Sequence, residues 1–216
     1  MPLSPTVSLV SVTPNAEQLI AYCARVSNPN AQDNPDNERL IRYLINHDHW
    51  SPFELAHLVL EINTTRAIAA QILRHRSFSF QEFSQRYADV GLMDFATPPA
   101  YRSQDLKNRQ NSIDDLDDEL VVDYQLKTQL LFDQSRQLYE ELLKLGVAKE
   151  CAREVLPLAT PTRLYMAGSI RSWLHYVDLR SGNGTQLEHQ QIALQAKEIL
   201  CQQLPTITQA MWPPVT

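Results

Sequence analysis

The sequence predicts an α+β fold in which a small mixed or antiparallel sheet is flanked by helices, one of them long. Most segments with a regular apolar pattern repeat at the spacing of a helix. Three short segments, residues 7–12, 57–64 and 162–167, have instead the alternating or branched apolar pattern of strands. Neither an internal repeat nor a low-complexity segment divides the chain, so we expect residues 1–216 to form one domain.

The first elements are expected to be a strand and a helix. Residues 7–12 alternate only weakly, which is typical of an edge strand. Residues 15–26 carry apolar side chains on one helical face, with Asn15 in the N-cap position. Residues 28–37 are rich in Pro, Asn and Asp and predict a loop.

The next helix is expected to be capped by Asp36 or Asn37 and to be broken by residues 47–52. Its apolar side chains, at helical spacing, are Leu40, Ile41, Leu44 and Ile45. The branched apolar residues of segment 57–64 predict a strand. Residues 67–73 are apolar and predict a buried helix.

A long helix is expected over residues 114–146, after an irregular excursion at residues 88–110. Acidic side chains at its beginning suit a helix N-terminus, and Gly146 suits its C-terminal cap. Its apolar stripe is formed by Leu126, Leu130, Leu131, Leu138, Leu142 and Leu145. A short helix over 148–156, a strand over 162–167 and two last helices over 170–179 and 186–204 complete the pattern.

Charge and cysteine content exclude several classes of protein. The formal net charge of −6 argues against a protein that coats long nucleic acid, although a local basic pocket for a small anion is compatible with it. We expect no signal peptide and no membrane-spanning segment. The three cysteines are far apart and form no CxxC pair, which predicts reduced thiols, a cytoplasmic protein and no cysteine-based metal site.

The segment that carries the most chemical information is Arg74-His75-Arg76, at the end of the predicted buried helix. Glu82, Ser84 and Arg86 follow it closely. Arginines at the end of a buried element are costly unless an anion meets them. A phosphate ester is the natural candidate, because guanidinium groups bind it in a bidentate manner.

A second polar set lies on the predicted helix over residues 170–179. Arg171, His175 and Asp178 fall on one face of that helix, at positions i, i+4 and i+7. Arg180 follows at its end, before a Ser-Gly-Asn-Gly turn, where its side chain can reach into a site.

Together these segments resemble the flavin-dependent thymidylate synthases, whose signature is Arg-His-Arg followed, after about seven residues, by Ser. Here Arg74-His75-Arg76 is followed by Ser84 with that spacing. One Arg-His-Arg alone is a weak signal, whereas a set of blocks in the family's order is a strong one. The further blocks are Ala24 to Ser27, His49 to Glu54, Gln71, Glu82 to Tyr87, Arg153 to Pro157, Arg171-Ser172 and Leu179-Arg180.

The resemblance implies methylation of deoxyuridine monophosphate (dUMP) at C5, with 5,10-methylenetetrahydrofolate as carbon donor. It also implies FAD as the cofactor, NADPH as the reductant and no cysteine nucleophile. The implied assembly is a homotetramer with sites between subunits. The cysteine content, charge and composition, and not the resemblance, lead us to expect a cytoplasmic protein that binds no nucleic acid polymer and no membrane.

The resemblance also implies which residues form the site. Arg180 would be the catalytic residue, because a fixed cation beside the uracil stabilises negative charge that develops on the ring. The residues implied to bind dUMP are Gln71, Arg74, Glu82, Phe83, Ser84, Gln85, Arg86, Arg153 and Arg180. Those implied to bind FAD are Ser51, Arg74, His75, Arg76, Glu82, Ser169, Ile170, Arg171 and His175. His49 would lie nearby with no assigned role.

Some features depart from the family pattern or admit other interpretations. Gln81, Ser169 and His175 stand where relatives often have Asn, but Ser and His also form hydrogen bonds.

One alternative function is an RNA- or nucleotide-binding module that uses the Arg cluster. Another is a metal hydrolase with His47, His49 and His57, although no metal-binding spacing supports it and we expect no metal. We interpret the Glu188-His189 dipeptide as a surface pair.

Overall fold

In the computed structural model, which describes residues 2–213, an antiparallel sheet of four strands has the order β1-β2-β6-β3. The strands of this sheet are β1 (Thr6–Val12), β2 (His57–Thr65), β3 (Ser79–Glu82) and β6 (Pro161–Ser169). A separate hairpin pairs β4 (Ser103–Gln104) with β5 (Ser112–Ile113). Every pairing is antiparallel, which decides between the mixed and antiparallel sheets that the sequence left open.

Helices flank the sheet, as predicted. They are α1 (Ala16–Ala24), α2 (Glu38–Asn46), α3 (Arg66–Ile72), α4 (Asp118–Lys144), α5 (Lys149–Ala152), α6 (Ile170–Arg180), α7 (Leu187–Gln203) and α8 (Pro205–Met211). Short 3-10 helices span Pro29–Ala31, Ser51–Leu55, Val90–Leu92 and Arg153–Val155. Over residues 2–213, none of the helices has the length and apolar character that crossing a bilayer requires.

The core lies against one face of the central strand pair, β2 and β6. Leu58, Leu60 and Ile62 alternate along β2 and are completely buried. The opposite face of β2 carries partly exposed residues, as expected for a sheet with one solvated side. Trp173 of α6 is also completely buried, and its indole N–H donates to the Leu58 carbonyl at 3.0 Å. That bond locks the helix bearing Arg180 onto the central strand.

The long helix is confirmed, although it begins later than predicted. The Asp117 carboxylate accepts hydrogen bonds from the N–H groups of Glu119 at 3.0 Å and Leu120 at 3.1 Å. This N-cap satisfies donors that the helix itself leaves free, so α4 begins at Asp118. At the other end Gly146 has φ 81°, the left-handed cap conformation that favours glycine.

Some details of the sequence prediction were wrong. The short strand β3 was not predicted, because its partner β6 supplies the pairing and four residues carry little pattern of their own. Helix α8 was not predicted either, although Pro205 suits its first turn. Asn15 occupies the N-cap position with φ 50° but makes no side-chain cap.

Part of the apolar face of α4 is not covered by the described chain, although Leu142 of the predicted stripe packs against the buried cluster of Val90, Tyr139 and Ala152. Leu120, Tyr124, Leu131 and Leu138 lie on one helical face, and their exposed fractions are 47%, 51%, 61% and 45%. The only completely buried large side chain among the described residues of α4 is Tyr139. Exposed apolar residues aligned over about 27 Å of helix are typical of an interface.

We expect Gly168→Ala to destabilise the fold, because a Cβ at this position in β6 would lie 2.5 Å from the Phe78 ring. Phe78 packs edge-on against Trp173, with ring centroids 4.9 Å apart, so it cannot move without disturbing the core. The free energy of unfolding should fall by about 1–3 kcal/mol, measured by urea denaturation. Gly182→Ala is the control, since a Cβ there meets no described atom within 4 Å. Equal unfolding midpoints for the two variants would contradict the packing argument.

Candidate active site

Helix α3 presents the Arg-His-Arg segment, as the sequence predicted. Ile68, Ala69 and Ile72 bury one face of this helix. The chain leaves the helix at once, since the His75 N–H donates to the Ile72 carbonyl at 3.0 Å. Arg74 is therefore exposed at the end of a buried element, where a guanidinium group is available to a ligand.

An open cavity of about 640 Å³ lies at this helix end. Its lining residues are Gln71, Arg74, His75, Gln110, Leu179, Arg180, Gly184, Thr185 and Gln186. Two of the predicted dUMP-binding arginines, Arg74 and Arg180, thus meet in one cavity although they are far apart in sequence. Guanidinium and amide donors together suit a ligand rich in oxygen acceptors.

Arg180 is held by a histidine instead of a carboxylate. Its Nε donates to His75 Nε2 at 3.0 Å, so His75 is neutral and carries its proton on Nδ1. Burial, the Arg180 charge and His175 together lower the pKa of His75 to about 4. Among residues 2–213, no ion pair involves Arg180. Its charge is therefore not compensated by a neighbouring anion and can act on a ligand.

Beneath the cavity lies His189, which is completely buried. Its Nε2 is 3.1 Å from the Tyr176 hydroxyl, and its Nδ1 is 3.3 Å from Gln71 Oε1. Interpretation of Glu188-His189 as a surface pair was therefore wrong. Helical spacing contained the correct signal, since Ile192 and Ala196 are also buried, three and seven residues after His189.

Glu188 points the other way and anchors the excursion that precedes α4. Its carboxylate accepts two hydrogen bonds from Arg102, at 2.9 and 3.1 Å. It also accepts a hydrogen bond from Gln186 Nε2 at 3.0 Å, and Gln186 Oε1 accepts one from Gln71 Nε2 at 2.7 Å. The cavity wall is thus tied both to the excursion and to the buried histidine.

The remaining predicted dUMP-binding residues form a second group, and they are not among the residues that line this cavity. Glu82, at the end of β3, accepts hydrogen bonds from Arg66 at 2.5 Å and Thr162 at 2.9 Å. Arg86 is exposed and pairs with Glu150 at 3.1 Å.

Arg153 follows Glu150 by one helical turn. Its Nε lies 3.9 Å from Oε1 of Glu154. Phe83 is half-buried, Ser84 is exposed, and the buried side-chain amide nitrogen of Gln85 has no hydrogen-bond partner among the described residues. One copy of the chain therefore divides the predicted nucleotide site into two groups.

A further cavity, of about 460 Å³, lies along the other end of α6. Its lining residues are Trp50, Glu54, Ser77, Arg171, Ser172, Leu174, His175, Asp178 and Met211. The predicted common face of Arg171, His175 and Asp178 is confirmed, because all three line this cavity. Two of them were predicted to contact FAD.

Glu54 organises this second cavity, a role that sequence reasoning missed. Its carboxylate accepts hydrogen bonds from Ser169 at 2.5 Å and from Arg171 at 2.8 Å. The Ser169 hydrogen bond, with help from Arg171, holds the pKa of Glu54 below its ordinary value. Ser51 begins the 3-10 helix that carries Glu54.

Two other predicted FAD contacts have different surroundings. Ile170 is completely buried, and its N–H donates to the Ala56 carbonyl at 2.9 Å. Its side chain therefore belongs to the core, and its backbone N–H is already paired. Arg76, by contrast, is exposed.

The alternative of a metal hydrolase named His47, His49 and His57. Over residues 2–213, no cluster of three or more His, Cys, Asp or Glu side chains is placed to hold a metal ion. His47 instead stacks on Tyr43, with ring centroids 4.0 Å apart, and its Nδ1 lies 2.8 Å from the Tyr43 carbonyl oxygen.

The buried histidine makes the stability of the fold depend on pH. Burial first, then Arg180 and His75, lower the pKa of His189 from 6.5 to about 3. Below pH 6.5 the unfolded chain therefore binds a proton at His189 that the folded chain does not bind. The free energy of unfolding consequently decreases as the pH falls toward 3. From this residue alone, the free energy of unfolding should be about 2 kcal/mol lower at pH 5 than at pH 7.5.

Urea denaturation at the two pH values measures this loss, and His189→Leu is the comparison variant. Replacement removes the titrating group, so the variant should lose less stability between pH 7.5 and 5 than the parent does. His75, with its pKa of about 4, contributes in the same direction to both proteins. Identical pH dependence in the two proteins would show that His189 does not resist protonation.

Comparisons with known proteins agree on one family. A family model described as "Thymidylate synthase complementing protein" matches residues 8–206. A "Probable flavin-dependent thymidylate synthase" of Paramecium bursaria Chlorella virus 1 is 50% identical over 210 residues, which cover 97% of this chain and 96% of the relative. A "Flavin-dependent thymidylate synthase" of Synechocystis sp. is 53% identical over 195 residues, which cover 90% of this chain and 89% of the relative.

A solved structure has the same fold. The UMP/dUMP methylase PolB from Streptomyces cacaoi, bound with 5-Br dUMP, superimposes with a TM-score of 0.83 at 29% identity. The match covers 95% of this chain and 93% of that chain.

Proposed function

The chain belongs to the flavin-dependent thymidylate synthases, and from this premise we propose that it methylates dUMP at C5 to give dTMP. The carbon donor in this proposal is 5,10-methylenetetrahydrofolate, the reductant is NADPH and the cofactor is FAD. The observation that carries the proposal is the cavity in which Gln71, Arg74 and Arg180 converge, with no carboxylate paired to Arg180 among the described residues. A nucleoside monophosphate supplies the negative charge and the oxygen acceptors that these donors lack.

Arg180 is the proposed catalytic residue. A guanidinium group beside the uracil stabilises negative charge as it develops on the ring, and this makes C5 more nucleophilic. Its hydrogen bond to neutral His75 supports the role, because it fixes the direction of the side chain without neutralising the charge. Arginine also stays protonated where a carboxylate does not accompany it.

The second cavity is the proposed FAD site. Trp50, Leu174 and Met211 supply apolar surface, which suits an aromatic ring system. Arg171 and His175 also line the cavity, and Arg171 would bind a pyrophosphate in exchange for its present partner Glu54, at 2.8 Å. Bound FAD would supply the redox chemistry of the reaction, and the proposed role of the protein is to bind it and to orient the nucleotide against it.

Assembly from several copies is proposed to complete the nucleotide site. One chain keeps Arg86 and Arg153 apart from the cavity of Arg180, so a neighbouring copy can supply the second group. The uncovered apolar stripe of α4 supports such an interface, and the proposed assembly is a homotetramer. A single domain over residues 1–216 and a cytoplasmic location also remain proposals.

The experiment that tests this function is dTMP formation by the purified protein. Its visible spectrum should show bound flavin, which NADPH bleaches under anaerobic conditions. dUMP with methylenetetrahydrofolate and NADPH should give dTMP, and omission of any one of the three should abolish the product. Replacement of Cys23, Cys151 and Cys201 by Ser should leave the reaction intact, because no cysteine nucleophile is invoked. A colourless protein that forms no dTMP when FAD is added would refute the proposal.

A further inference from the structure

We infer that Glu188 and His189, neighbours at the beginning of α7, together fix the orientation of the Gln71 side-chain amide, so that its NH₂ group and not its oxygen faces the cavity. Both are positioning residues, since neither is proposed to touch the substrate. The inference rests on the proposed function in one respect, namely that Gln71 contacts dUMP.

Glu188 determines which group donates and which accepts in each of the hydrogen bonds that lead from it to Gln71. Arg102 binds its carboxylate through two N–H groups, and a carboxylate in this ion pair only accepts hydrogen bonds. Gln186 must therefore turn its NH₂ group toward Glu188, at 3.0 Å, and its oxygen toward Gln71. That oxygen in turn requires a donor, so Gln71 presents Nε2 to it at 2.7 Å.

His189 holds the other end of the same amide. With Nε2 of Gln71 directed at Gln186, its Oε1 points at His189 Nδ1, which must carry the proton. The opposite ring nitrogen then accepts from the Tyr176 hydroxyl at 3.1 Å. Burial of His189 keeps the ring neutral, so only this tautomer satisfies both neighbours.

The consequence is a cavity wall that presents donors to the ligand. One N–H of the Gln71 amide is used by Gln186, and the second is available beside the guanidinium groups of Arg74 and Arg180. A reversed amide would place a carbonyl oxygen there, which would repel the phosphate and carbonyl oxygens of dUMP. The class of ligand atom that this wall selects is therefore an oxygen acceptor.

Binding of dUMP to the FAD-loaded protein tests the inference, by isothermal titration calorimetry. His189→Leu removes the donor to Gln71, and the Kd for dUMP should rise about tenfold. His189→Asn places an amide nitrogen close to the position of Nδ1, so the Kd should stay within about threefold of the parent value. The FAD content and melting temperature of this variant are measured as well. Glu188→Gln lets the Gln186 amide reverse, and should also raise the Kd. This variant of a half-buried residue remains informative if His189→Leu does not fold.

The outcomes separate the inference from the function on which it rests. A parent protein that binds no dUMP would refute the proposed function itself. A parent that binds dUMP, with equal losses in His189→Leu and His189→Asn, would mean that His189 only packs, and would overturn the inference. In a Gln71→Leu background, His189→Leu should have no further effect on the Kd, and an unchanged tenfold loss of affinity there would overturn the inference as well.

Comparison of dUMP with deoxyuridine identifies the ligand oxygen that accepts the hydrogen bond. A loss of affinity seen only with dUMP indicates the phosphate, and an equal loss with both ligands indicates the nucleoside oxygens.

Discussion

Arg180→Ala is expected to lower kcat for dTMP formation by about 100- to 1,000-fold while FAD stays bound, because one preorganised charge beside a developing anion is worth that much. FAD should remain because Arg180 is not among the residues proposed to bind it. Arg171 and His175 line the other cavity, and Arg74 and His75, the proposed FAD residues that line the cavity of Arg180, are kept in this variant. Steady-state kinetics and the flavin absorbance of the same sample measure both quantities.

Two further variants make this result specific. Arg180→Lys keeps a positive charge but loses the Nε–H that binds His75, so it should recover only part of kcat. Arg42→Ala is the matched control, since Arg42 pairs with Glu38 on an exposed face of α2, away from both cavities. A kcat for Arg180→Ala within threefold of the parent would remove Arg180 from the catalytic role.

Two charges in the apolar stripe of α4 are expected to have an equally large effect. Leu131→Glu combined with Leu138→Glu places carboxylates on exposed apolar positions that are one heptad apart. If this stripe forms the interface between copies, burial of two unpaired carboxylates should prevent assembly. Loss of assembly should in turn abolish dTMP formation, because the group containing Arg86 and Arg153 would no longer reach the cavity of a neighbour.

Light scattering coupled to gel filtration measures the mass of the particle, and activity is measured on the same fractions. Gln137→Glu is the control, because it adds a charge to an exposed polar position of the same helix that lies off the face of Leu131 and Leu138. A double variant that keeps the parent mass would exclude this stripe from the interface. A smaller particle with full activity would instead contradict a site shared between subunits.

The sequence predicted those parts of the site that local pattern determines. The Arg-His-Arg segment was expected at the end of a buried helix, and α3 places it there, since apolar spacing defines the buried face and the arginines cannot continue it. Alignment of Arg171, His175 and Asp178 on one face followed from helical periodicity alone, and all three line one cavity.

Other parts depended on contacts between segments that are distant in sequence. No local pattern marks Ser79–Glu82 as a strand, because its hydrogen bonds come from β6, about eighty residues later. The role of Glu54 was missed for the same reason, since its partners Ser169 and Arg171 lie more than a hundred residues away.

The sequence by itself determined the fold class, the family and the residue types that gather around an anion. The reason is that the periodicity of apolar residues and the order of motifs are properties of the linear sequence. Only the tertiary structure decided that His189 is buried, that Arg180 pairs with a neutral histidine and that the predicted nucleotide residues fall into two groups. The physical reason is that burial and hydrogen-bond direction depend on which surfaces meet. Adjacent residues such as Glu188 and His189 face opposite partners as soon as a helix packs against its neighbours.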